Sequence, residues 1–287
     1  MANITTAFVK QFGDTLYLLS QQKESRLSNA VMVENGAYGE EAYFDQYNAD
    51  TANEKVARHA NVEYAVDDYA RRRVSFIDVY WAKLIDKEDQ LSMLLDPTST
   101  LLRAGAAAIG RKIDDKIIAA FSGTAYTGKA GGTSTTFTAA NQIAVGGAGL
   151  TIAKLLSAKE LLDAADVDPD EERFCAVSAK QVTNLLNTTE VKSADYNTVK
   201  ALVQGQIDTF LGFKFIRTER LATDDSDSRM CLAWAKSGML LAKRNEMNAK
   251  IDEIPTKHYA KQVYAAISCG ATRMEEAKCV EIYCSEA

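Results

Sequence analysis

The side chains with chemistry to offer are two histidines, five cysteines, the adjacent carboxylates Asp114 and Asp115, and the triplet Arg71, Arg72 and Arg73. His59 and His258 each sit in polar sequence, with no cysteine or second histidine at metal-ligand spacing. Cys279 and Cys284 flank the alternating run Val280-Glu281-Ile282-Tyr283. Five residues apart on a strand, they point to opposite faces and cannot share one metal ion. Adjacent helical residues point about 100° apart, so Asp114 and Asp115 cannot close on one substrate. Solvation, or an ion pair with Arg111, is their expected use. No G-x-S-x-G elbow, H-E-x-x-H helix or dinucleotide fingerprint occurs. The chain therefore offers no catalytic, cofactor-binding or metal site, and the expectation is that it is not an enzyme.

The arginine triplet is the densest positive charge. It suits a phosphate contact or an ion pair with a neighbouring acidic surface. It equally suits a solvated strand edge, where charge discourages unwanted pairing. The overall balance is 33 Lys+Arg against 39 Asp+Glu, a formal charge of −6, the wrong sign for a dedicated nucleic-acid binder. Hydrophobic residues at 47% and charged residues at 25% fit a globular chain and exclude a disordered or collagen-like one. No run reaches the roughly 18 apolar residues of a membrane helix. No signal peptide is visible, and five cysteines without one imply reduced thiols in a cytosol.

Several elements stand out along the chain. Phe8, Phe12 and Leu16 suggest a short amphipathic helix, either an arm for another subunit or the first helix of an ordinary domain. Residues 42–47 and 71–81 read as two strands with a polar tip. Such a hairpin is marginal alone, so it needs another surface, on a neighbour or on its own domain. Asp96 and Pro97 start a helix that carries Leu101, Gly105, Ile109, Ile113 and Ile117, spans 97–121, and ends at Gly123. The glycine-rich stretch 123–149 lacks the Lys-Ser/Thr pair of a phosphate loop and reads as a flexible join between lobes. From 150 to 235, helices capped by Thr151 and Ser178 alternate with strands near 174–177, 213–217 and 230–234, as in an α/β lobe. The acidic turn 223–228 lacks the glycine and distal glutamate of a calcium loop. Strands are expected at 239–243 and 248–251. Tyr259, Val263 and Ile267 form a helical stripe ended by Gly270, and 279–283 closes the chain as a strand.

This order of elements resembles the major capsid proteins of tailed double-stranded DNA bacteriophages, nearest the short-tailed, podovirus-like branch. The resemblance rests on Leu18-Leu19-Ser20-Gln21-Gln22-Lys23-Glu24-Ser25-Arg26-Leu27, on Val74-Ser75-Phe76-Ile77-Asp78-Val79-Tyr80, and on the run from Asp96-Pro97-Thr98 to Lys112-Ile113-Asp114-Asp115. It also rests on Gly270-Ala271-Thr272-Arg273-Met274 and Lys278-Cys279-Val280-Glu281-Ile282. The resemblance implies an α+β chain with four parts: an N-terminal arm (1–40), an extended loop (41–82), a peripheral domain (83–149 and 236–287) on the spine helix 97–121, and an α/β axial domain (150–235). It further implies self-assembly into pentamers and hexamers of an icosahedral virion shell that encloses DNA without sequence-specific binding. Assembly would take place in the host bacterial cytoplasm, with a separate scaffolding protein and a portal as partners and no membrane. Phe8, Phe12, Arg71, Arg72 and Arg73 are the candidate intersubunit contacts. A covalent lysine–asparagine link between subunits, known in some relatives, cannot be matched to residues here. The competing reading is the shell of a cellular protein compartment with a related fold.

Overall fold

In the computed structural model, the residues described are 21–47, 51–55, 57–59, 61–62, 64, 69–86, 98–187, 209–223, 228–245 and 247–286. Phe8, Phe12, Asp96, Pro97 and most of the acidic turn at 223–228 lie outside them. The chain divides into two units, one drawing on residues 1–25, 78–113 and 245–268, the other on 26–77, 114–244 and 269–287. Helix α1 (Thr98–Ser122) and strand β14 (Ala260–Arg273) each contribute to both. The observed helix is displaced by one residue at each end from the predicted one, and its stripe of Gly105, Ile109, Ile113, Ile117 and Phe121 is buried.

In the first unit, the first half of β14 pairs antiparallel with β13 (Asn248–Ile254), in register from Asn248 opposite Ala266 to Ile254 opposite Ala260. Strand β4 (Ile77–Ile85) also joins β14, and Tyr80 stacks on Tyr264 at 6.4 Å. The predicted helix around Tyr259, Val263 and Ile267 is therefore a strand. A spacing of four satisfies a period of two as well as 3.6. The intervening Ala265, buried like Val263 and Ile267, decides for the strand.

Among the described residues, the second unit holds two complete sheets and a third. In that third sheet, β1 (Met32–Asn35) runs parallel to β12 (Met239–Lys243), which pairs antiparallel with the second half of β14. A six-stranded sheet follows the order β7-β15-β11-β8-β10-β9. Its members are β7 (Gln142–Ile143), β8 (Arg173–Val177), β9 (Thr209–Phe210), β10 (Phe213–Arg217), β11 (Ser228–Ala235) and β15 (Cys279–Ser285). Helices α2 (Ile152–Ala164) and α3 (Ala179–Asn187) follow the two predicted caps. Thr151 Oγ1 accepts from the Lys154 N–H at 3.3 Å, and Ser178 Oγ from that of Gln181 at 3.4 Å. Trp234 centres the core: its indole N–H donates to the Ala30 carbonyl at 2.8 Å, and its ring packs on Phe121 at 5.9 Å and on Phe174 at 6.0 Å. Truncating such a buried aromatic costs about 3–5 kcal/mol.

Three further expectations need correction. Residues 71–81 are not one strand. β3 (Tyr69–Ser75) stops where the backbone crosses β14, so closely that a Cβ on Gly270 would lie 2.5 Å from the Ser75 carbonyl oxygen. Phe76 then packs beside the buried cluster of Val74, Leu240, Ala242 and Met274, and β4 starts anew. The glycine-rich stretch 123–149 is not a featureless join. It supplies β5 (Ala125–Thr127), β6 (Thr133–Thr135) and β7, and its end is fixed by Lys154, whose buried ammonium donates to the Val145, Ala148 and Tyr283 carbonyls at 2.8 Å each. Asp114 is not solvated. It is fully buried and accepts the backbone N–H groups of Arg26 and Leu27, each at 3.1 Å, ahead of the short 3₁₀ turn Ser28–Ala30. Asp115 forms a two-pronged pair with Arg220 at 2.6 Å, and Arg111 binds Gln21 and Gln22 instead.

All five cysteines are buried, and burial pushes the Cys175 and Cys279 thiols far above their ordinary range. A thiol-disulfide reagent should therefore label none rapidly in the folded chain and five in denaturant; rapid native labelling would contradict the burial.

Glu286, just after β15, accepts from Ser178 Oγ at 2.7 Å and from Arg229 at 2.9 Å. The Arg229 hydrogen bond holds its carboxyl below the usual carboxylate range. A depressed folded pKa contributes stability above the unfolded value, near 4.5, which is lost as pH falls through the folded one. Glu286→Gln should cost about 1–2 kcal/mol at pH 7. The cost should shrink below about pH 4, as acid-titrated unfolding would show.

Candidate assembly surface

The hairpin β2 (Glu41–Tyr47) and β3 forms two strands of a four-stranded sheet in the second unit, order β2-β3-β5-β6. Antiparallel register puts Tyr43 opposite Arg73, Asp45 opposite Arg71 and Tyr47 opposite Tyr69, while Tyr126 of β5 pairs with Arg73 from the other side. Directly opposed residues share a face, so all of these lie together. The alternate positions, Phe44, Gln46, Arg72 and Val74, lie on the inner face. There Val74 and Phe44 pack in the apolar cluster and Gln46 donates to the Met274 carbonyl at 2.8 Å.

The outer face is open. Tyr43 is 42% exposed, Tyr47 53%, Tyr69 67% and Tyr126 38%. Arg71 pairs with Asp45 at 2.5 and 3.2 Å and lies over the Tyr43 ring at 5.9 Å. Arg73 pairs with Glu41 at 3.0 Å and covers the Tyr126 ring at 4.4 Å. Tyr47 and Tyr69 meet edge to face at 5.2 Å. The β5–β6 turn closes over this layer. A Cβ on Gly131, whose φ is +62°, would fall 2.6 Å from Arg73 Cδ, so that position needs glycine. The Arg71 hydrogen bond lowers the Asp45 pKa, and the hydrogen bond to Glu41 raises that of Tyr43.

The triplet thus divides by strand parity. Arg71 and Arg73 stay on the outer face, each held by a carboxylate of β2. Arg72 is buried, bonded to the Met274 carbonyl at 2.8 Å and Glu276 at 2.5 Å. In the sequence Tyr43 and Tyr47 mark only a strand, although the alternation Glu41-Tyr43-Asp45-Tyr47 puts them on one face. Tyr126 could not be found that way, because its three-residue strand lies within the glycine-rich stretch. Among the described residues, no group of three or more His, Cys, Asp or Glu side chains could hold a metal ion, and no helix is long and apolar enough to cross a membrane.

The fold is shared with solved phage capsid structures. The chain superposes on the capsid of cyanophage P-SCSP1u with a TM-score of 0.77 at 14% identity, covering 100% of this chain and 96% of that one. For the capsid of Ralstonia phage GP4 the values are 0.76 and 12%, with 97% and 95% covered. For the head of Helicobacter pylori bacteriophage KHP40 they are 0.73 and 11%, with 99% and 98% covered. No curated protein matches in sequence. The family model described as phage capsid protein matches residues 4–286, and the chain belongs to that family.

Proposed function

We propose that this chain is the major capsid protein of a tailed double-stranded DNA phage and that the outer face of its β2-β3-β5-β6 sheet is a contact with a neighbouring copy. Copies form pentamers and hexamers of an icosahedral shell around packaged DNA. Repeated heterologous contacts close into rings, and rings tile a shell. Residues 1–40 serve as an arm, 41–82 as an extended loop, 150–235 as the axial domain, and the remainder as the peripheral domain. Shells assemble in the host cytoplasm, with a scaffolding protein and a portal as partners.

The observation that carries the contact is the exposed layer of four tyrosines and two arginines on one sheet face. Tyrosine and arginine are enriched at protein interfaces, where a rigid amphipathic ring covers much area at low entropic cost. Two arginines matched by two carboxylates leave this face no net charge to attract a polyanion. A protein neighbour therefore suits the face better than phosphate does.

Tyr43→Ser with Tyr126→Ser should leave the melting temperature within a few degrees, since both rings are surface groups, yet abolish or sharply slow assembly in negative-stain microscopy and light scattering. Tyr259→Ser, an exposed tyrosine of the other unit, should assemble as wild type. Wild-type assembly by the double variant would remove the face from the interface. Wild-type protein that stayed monomeric at every concentration, with or without scaffold, would remove the shell reading itself. Particles filled with protein cargo instead of DNA would favour the cellular compartment.

A further inference from the structure

On its inner face the hairpin is tied to the rest of the second unit through Arg72. Its Nε donates to the Met274 carbonyl at 2.8 Å, and its Nη2 meets Glu276 Oε2 at 2.5 Å. Glu276 also faces a second guanidinium: its Oε1 lies 3.8 Å from Arg273 Nε. Neither of those two atoms has a hydrogen-bond partner. The other nitrogens of Arg273 are committed, Nη1 to the Ala120, Phe121 and Gly123 carbonyls and Nη2 to the Thr135 carbonyl at 3.3 Å. One spare donor and one spare acceptor thus stand side by side, just beyond hydrogen-bonding distance.

Removing one partner of a buried ion pair normally strands the other charge, and this makes such pairs costly to break. Glu276 escapes that penalty. If Arg72 withdraws, a small side-chain rotation brings Oε1 onto Arg273 Nε, and the carboxylate stays paired. We propose that Glu276 is an exchangeable latch: it holds Arg72 while the β2–β3 hairpin is seated and transfers to Arg273 when the hairpin lifts. The hairpin can then leave its seat while the helix end and the sheet beneath stay folded. The latch belongs to the single subunit and does not depend on which surface meets a neighbour.

Arg72→Met and Glu276→Gln separate the two halves of this mechanism. In Arg72→Met, hydrogen exchange across residues 41–47 and 69–75 should rise by about tenfold or more, with little change in melting temperature. The Arg273 Nε–H signal should meanwhile acquire the slowed solvent exchange of a new hydrogen bond in nitrogen-edited NMR. In Glu276→Gln, hairpin exchange should rise similarly, the melting temperature should fall much further, and exchange should also rise at residues 119–123. The latch is refuted if Arg72→Met melts as low as Glu276→Gln, if its hairpin exchange stays at the wild-type level, or if the Arg273 signal does not change. Should Glu276→Gln fail to fold, the hairpin exchange and Arg273 signal of Arg72→Met still decide the matter.

Discussion

A fully buried guanidinium at the end of the long helix is the constraint on which the second unit turns. The last carbonyls of an α-helix have no partner within the helix and carry its negative dipole end. Arg273, at the end of β14, turns one nitrogen on the carbonyls of Ala120, Phe121 and Gly123 and lies over the Phe137 ring at 5.1 Å. Burial pulls its pKa down, the usual cost of desolvating a cation; the carbonyls, the ring and Glu276 offset that cost. Only arginine has a fork of donors rigid enough to satisfy several acceptors at once. The residues just after it complete the junction. The Met274 carbonyl receives both Gln46 and Arg72, and Asn141 donates to the Glu276 and Cys279 carbonyls at 2.8 and 3.2 Å. Helix end, hairpin and last strand therefore share one short segment.

That junction gives the outer sheet face its firmness. Strand parity sends Arg72 inward to the anchor and leaves Arg71 and Arg73 among tyrosines outside. A shell subunit needs surfaces that are rigid before they meet a neighbour, because side chains ordered in advance lose less entropy on association. Exposed ion pairs add little stability to a monomer. Those on this face serve instead to fix ring positions and to balance charge.

Elements with one clear period were legible in the sequence. The buried stripe of α1, the caps at Thr151 and Ser178, and strands β8, β10, β11 and β15 of the six-stranded sheet follow local pattern; β7 and β9 do not. What was illegible depends on distant partners. Nothing near Asp114 in sequence reveals that it receives the backbone of Arg26 and Leu27. Nothing near residue 75 reveals that the chain crosses Gly270 there and changes sheets. β14 was misread because its apolar spacing satisfies two periods. Of the candidate contacts, the triplet was visible as charge, but its division into one anchor and two surface groups follows from pairing with β2. The family resemblance, carried by element order more than by any single motif, agrees with the family model over residues 4–286.

A cryo-electron microscopy reconstruction of particles assembled from the wild-type chain tests the shell and its subunit contact together. Closed shells of pentamers and hexamers are expected, with Tyr43, Tyr69, Arg73 and Tyr126 covered by an adjacent subunit. Closed shells with that face open to solvent would contradict the contact, and a failure to form shells with any scaffold would contradict the function.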